Sequence, residues 1–102
     1  MGLSIEFNNK KYECKGITGR VRLEQARLMD KVTGENIEKL EGNMANYILE
    51  ECEFICKAFN NQFTVDEFLD HVPAENIELI IAQISDYINK KSESNIKSIV
   101  KN

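Results

Sequence analysis

The chain is short of the residues that enzymes usually rely on. Among its 102 residues there is one histidine and one proline, and three cysteines, an odd number. Cys14, Cys52 and Cys56 have no Cys-x-x-Cys spacing and no histidine partners, so a four-ligand structural zinc site is not supplied by one copy. Cys52 and Cys56 stand four apart on a helical face, where small buried side chains are the expected role. Thiols in this number and spacing fit a reducing compartment. His71 precedes Val-Pro at a helix end, which suits a structural role against the helix dipole. No nucleophile or acid–base constellation surrounds it in the sequence. Gly16, Gly19 and Gly34 form no phosphate-cradling loop with a Lys-Ser/Thr ending. No catalytic, cofactor-binding or metal-binding residue is assigned.

Long apolar runs are also missing. No stretch reaches the length of a membrane span. The opening "MGLSIEFNNKK" has no apolar core of a secretory leader, and Glu6 stands where a myristoylation motif has Ser or Thr.

Positive charge is scarce where nucleic acid would need it. Residues 1–34 carry a net +3, residues 35–91 a net −8 and residues 92–102 a net +1, giving −4 for the chain. Phosphate binding requires a positive field, so DNA and RNA are not expected partners. No basic stripe interleaves with aromatics.

What is present is strong local patterning. In "LSIEFNNKKYEC", Leu3, Ile5 and Phe7 alternate on one face, with Tyr12 and Cys14 on the return. Asn8-Asn9 suits a two-residue hairpin turn, because Asn tolerates positive φ. That register sets Glu6 against Lys11 and Ile5 against Tyr12. A lone hairpin is marginal and must lie on helices or another sheet.

Thr18 is the predicted cap of a helix running to about Val32 and ended by Gly34. Ile17, Val21, Leu28 and Val32 form its stripe. Arg20, Glu24, Arg27 and Lys31 form a charged ridge, read as an exposed ion ladder, with an anion or acidic-partner site as the alternative. The longest helix is predicted over Glu35–Phe59. Ile37, Leu40, Met44, Ile48, Cys52, Ile55 and Phe59 share one face, widened by Tyr47 and Phe54 on one flank and Leu49 and Cys56 on the other. So broad a sector makes this helix either the centre of the fold or half of an interface. Glu51 falls within it. Its carboxylate must reach the edge or pair with an arginine of the preceding helix.

"TVDE", Thr64 to Glu67, is a capping box, with Phe63 and Phe68 placed as a hydrophobic staple. Pro73 ends that short helix and suits the first turn of the next. Ile77, Ile80, Ile81, Ile84, Tyr87 and Ile88 make a regular stripe, and Leu79 points to the opposite face. After Lys91, "SESNIKSIVKN" reads as a tail, although Ile96, Ile99 and Val100 keep the spacing of a helix that forms on a partner. The expectation is one mainly α domain over residues 1–91, with about four helices, an N-terminal β-hairpin over about residues 1–16, and a flexible tail over 92–102.

The succession of "IEFNNKKYECKGITGR", a long acidic helix, "NQFTVDEFLDHVPAENIELIIAQISDYI" and a short polar tail resembles the small tail assembly chaperones of long-tailed bacteriophages and prophages of Gram-positive hosts. The resemblance covers about residues 3–91 and is most specific from Asn61 to Ile88. It implies a non-enzymatic protein of the bacterial host cytoplasm, absent from the finished virion. Such a protein coats the tape measure protein, keeps it soluble and helps tail tube subunits assemble around it. In many relatives a frameshift gives a longer second product, and "NKKSESN" lies about where the two would diverge. The family carries no active-site residues to transfer.

From the residues themselves, Tyr47, Phe54, Leu79, Ile96, Ile99 and Val100 are the candidate partner contacts. A homo-oligomer through the hairpin's outer edge is a further expectation. The competing reading is a small regulatory or DNA-binding helical protein of a prophage, with Thr64–Ile88 as a helix-turn-helix. Glu75, Asn76, Glu78 and Asp86 on the second helix argue against it, since negative groups would face phosphates.

Overall fold

The N-terminal hairpin forms as its turn chemistry dictates. In the computed structural model, which describes residues 3–100 and the side chains of residues 3–90, β1 (Ser4–Phe7) pairs antiparallel with β2 (Lys10–Glu13). Asn8 and Asn9 both take left-handed backbone, at φ 52° and 62°. Ile5 stands opposite Tyr12 and Glu6 opposite Lys11, the register expected from alternation. That register turns Ile5 and Phe7 inward, and both are buried.

Helix α1 (Gly19–Lys31) begins where Thr18 accepts a hydrogen bond from the Val21 amide. It buries Val21, Gln25 and Leu28, whereas Val32, expected on the stripe, is exposed just past the last turn. The charged ridge is not an intrahelical ladder. Glu24 pairs with Lys57 at 2.8 Å and Lys31 pairs with Glu50, so both reach across to the next α-helix. The helices run close enough there for acidic residues of one to meet basic residues of the other.

The helix predicted over residues 35–59 is broken in two. A 3-10 helix spans Gly34–Leu40, and α2 runs Met44–Ala58. Gly42 between them has φ +85°, a conformation no helix interior contains. Its backbone freedom is the physical reason for the break. The apolar pattern continues across it, which is why periodicity alone joins the two pieces. The longest helix is therefore α4, Ala74–Val100. Its backbone continues through most of the stretch read from the sequence as a tail.

Between them, α3 (Val65–His71) carries the complete capping box: Thr64 Oγ1 accepts from the Glu67 amide, and the Glu67 carboxylate accepts from the Thr64 amide, both at 3.1 Å. Phe63 and Phe68 close the staple with their rings stacked 5.8 Å apart. The described residues thus make a mainly helical fold with an N-terminal two-stranded hairpin, as the pattern predicts.

The core is centred on the second half of α2. Cys52, Phe54, Ile55, Cys56, Ala58 and Phe59 are buried there, with Phe68 from α3 and Ile80, Ile84 and Ile88 from α4. Phe7 of the hairpin packs edge-on against both Phe63 and Phe68. The loop after α2 grips the hairpin's exit by polar contacts. Asn60 and Asn61 are left-handed, at φ 62° and 56°. Asn60 accepts from the Lys15 amide and donates to the Gly16 carbonyl, and Gln62 donates to the Glu13 carbonyl.

Two substitutions test this account. Phe68→Ala, at a fully buried position, is expected to cost about 3–5 kcal/mol, read as a fall in the denaturant midpoint. Gly42→Ala meets no steric crowding, so its cost comes only from the backbone conformation. The expected loss is about 1–2 kcal/mol, and an unchanged midpoint would refute the role assigned to Gly42.

Candidate partner-binding surface

A helix buries the residues that another element covers, and α2 is covered along only part of its length. Cys52, Ile55 and Phe59, in the second half, are sealed. Met44 and Ile48 lie on the same face two turns and one turn earlier and remain 49 % and 37 % exposed. The sequence offered a central helix or half of an interface; the structure makes the C-terminal half of α2 core and leaves its first turns as apolar surface. Met44 and Ile48 were missed as surface residues because periodicity reports which face is apolar and not where its cover stops. Ile37 and Leu49 are likewise exposed.

The residues expected to meet a partner are dispersed. Leu79 is 55 % exposed on α4, on the face where a polar residue would be usual. Tyr47 is half-buried on α2. Phe54 is 1 % exposed and belongs to the core, so it does not reach the surface in this conformation. Ile96, Ile99 and Val100 lie on the α4 backbone, and their side chains fall outside the described residues.

Beside Met44 and Ile48, on the same face of α2, sits Glu51. It neither reaches the edge nor meets an arginine, as the sequence reading expected. Only 1 % of it is exposed, and its Oε1 has no hydrogen-bond partner. The residue that answers it is another acid, Glu78 of α4. Burial is the main force pushing the Glu51 carboxyl up, from 4.5 to about 8, and a hydrogen bond with Glu78 and that group's negative charge add to it. Tyr47, one turn before Glu51, is raised too, first by burial and then by the charges of Glu51, Glu78 and Glu50. The α2–α4 seam is therefore a place where carboxyl groups gather, without a paired cation among the described residues, beside apolar surface.

The thiols offer no reactive centre. Burial, with nearby carboxylates helping, pushes both Cys52 and Cys56 up to about 11, so they stay protonated. Cys14 donates its S–H to the Ala58 carbonyl at 3.2 Å. Among the described residues, no group of three or more His, Cys, Asp or Glu side chains gathers as a metal site. His71 closes α3 on an exposed surface. Between α1 and α2 lies an open cleft of about 460 Å³, floored by Leu28 and Phe54 and rimmed by the Lys57–Glu24 and Lys31–Glu50 pairs. Those four charges satisfy one another, while Arg27, Asp30 and Glu53 line the cleft without an ion pair among the described residues. No helix among the described residues is long and apolar enough to cross a membrane.

The first turns of α2 thus leave apolar side chains uncovered on a scaffold whose residues 35–91 carry a net −8. The sequence matches the family described as phage tail chaperone protein over residues 2–101, and the chain belongs to that family. No curated relative and no solved structure gives a significant match.

Glu51 makes a signed prediction. Its proton is held by the folded state at pH values where the unfolded chain has released it. Its contribution therefore turns unfavourable as pH rises from about 4.5 through about 8. Glu51→Gln is expected to melt close to the parent near pH 5 and several degrees above it near pH 8.5, with about 4–8 °C for each kcal/mol recovered. Equal differences at the two pH values would remove the assignment.

Proposed function

We propose that this tail chaperone is a holdase for the tape measure protein. It masks the apolar helices of that long chain during tail assembly and helps tail tube subunits polymerise around it. The observation that carries this reading is the uncovered apolar half-face of α2, Met44 and Ile48, with Leu79 separately exposed on α4. A holdase needs apolar surface offered reversibly, and it needs like charge to keep the complex dispersed. The net −8 over residues 35–91 supplies the second. Burial of about 800 Å² per partner would make an ordinary specific contact.

Ile96, Ile99 and Val100, on the last turns of the α4 backbone, are further partner contacts in this proposal. The site of action is the cytoplasm of the infected or lysogenic bacterium, and the protein leaves before the virion is complete. No chemistry is performed on the partner. Homo-oligomerisation through the open hairpin edge would let several copies coat one long chain. DNA is disfavoured as a partner by the exposed Glu75, Glu78 and Asp86 of α4.

Co-expression tests the proposal. A tape measure fragment that aggregates alone should become soluble and co-purify with this chain. The Met44→Asp/Ile48→Asp double variant should bind at least about tenfold more weakly while melting like the parent, since both residues are substantially exposed. Aggregation of every fragment, undiminished by the chaperone, would refute the reading.

A further inference from the structure

A buried carboxyl is costly unless a proton or a cation neutralises it. Glu51 is 1 % exposed and leaves Oε1 without a partner. The titratable and charged groups that face it are Glu78 from α4 and Tyr47 and Cys52 from its own helix, with Glu50 acting on Tyr47 from the same turn. None of these carries positive charge. Among the described residues, no lysine or arginine forms an ion pair with Glu51 or Glu78. Three and seven residues before Glu51 on the same face, Ile48 and Met44 are left in water. So one surface lacks two things at once, an apolar cover and a counter-charge.

A single kind of ligand supplies both. It is a helix with apolar side chains on one face and a lysine or arginine about one turn further along. We infer that Met44, Ile48 and the Glu51–Glu78 pair form a docking surface for a basic amphipathic helix, whose apolar side chains cover the first turns of α2 and whose cation joins the two carboxyls. This rests on the proposed function for the source of the helix, a segment of the tape measure protein, and adds how the segment is recognised. A small metal ion fits less well, because only two carboxyls meet here and no third ligand joins them among the described residues.

The exchange balances. In the free chaperone Glu51 holds its proton, beside the negative charge of Glu78. When the partner's cation arrives, the proton leaves to solvent, both carboxyls are ionised, and the cation offsets the second charge. Glu78 is exposed and can swing toward the incoming group, whereas Glu51 is fixed in the helix seam. The burial and pairing that hold the Glu51 carboxyl up to about 8 mean that the proton is present to be displaced across the neutral range. Docking therefore strengthens as pH rises toward that value.

The probes are overlapping fragments of the tape measure protein, titrated calorimetrically into the full chaperone near pH 6 and near pH 8.5. The expected result is affinity at least about tenfold higher at the upper pH, with close to one proton released at the lower pH when buffers of different ionisation heat are compared. Glu51→Gln should abolish the pH dependence. Replacing the critical lysine or arginine of the bound fragment by glutamine should weaken binding in the parent far more than in Glu51→Gln, the signature of a coupled pair. Fragments that bind with the same affinity at both pH values, or equally well to Glu51→Gln and the parent at the upper pH, overturn this inference and leave the holdase reading standing. Fragments that fail to bind the parent at either pH overturn both.

Discussion

The structure depends on one cluster of aromatic rings. Phe7 of the hairpin meets Tyr12, Phe63 and Phe68, and Phe59 at the end of α2 meets Phe63. These rings come from β1, β2, the end of α2, the loop after it and α3, so a single contact set ties elements far apart in the chain. Neither partner could stand without it. A two-stranded hairpin is marginal in water, and α3 has seven residues, too few to be helical alone. The edge-on and stacked ring geometries add direction to what would otherwise be unspecific burial. The polar grip of Asn60 and Gln62 on the hairpin's exit then fixes the orientation that the rings have selected.

Local chemistry was legible in the sequence, and distant coverage was not. The Asn8-Asn9 turn, the strand register, the Thr64–Glu67 box and the Phe63–Phe68 staple each depend on residues within a few positions, and each forms as read. Gly42 is a local signal that the apolar rhythm overrode. A stripe that continues across a glycine in phase looks like one helix, although the backbone turns there. Asn60-Asn61 repeats the residue pair and the left-handed geometry of Asn8-Asn9 and ends α2. The partners of Glu24, Lys31 and Glu51 lay beyond reach, because they are set by how helices cross. For the charged ridge, spacing within α1 suggested neighbours on the same helix. The actual partners are on α2.

The candidate surface illustrates the same divide. Breadth of the apolar sector on α2 signalled that one helix had more greasy faces than one core requires. It did not say which end stayed uncovered. The answer comes from tertiary packing: α3 and α4 supply buried side chains around the second half of α2, and Met44 and Ile48 remain in solvent. Family membership and this uneven coverage then point the same way, toward a protein whose work is contact with another chain.

The attachment of α1 carries a separate consequence. It contributes Val21 and Leu28 to the interior, along with Gln25, whose buried Oε1 has no partner. Its links to α2 include two solvent-reached ion pairs, of a kind that contributes about 0–1 kcal/mol each and weakens in salt. By comparison, α2 is anchored by side chains with almost no exposure. The backbone amides of the molecule should therefore exchange with solvent deuterium in a graded order, with α1 peeling away before the second half of α2, which surrenders its hydrogens only when the entire domain unfolds.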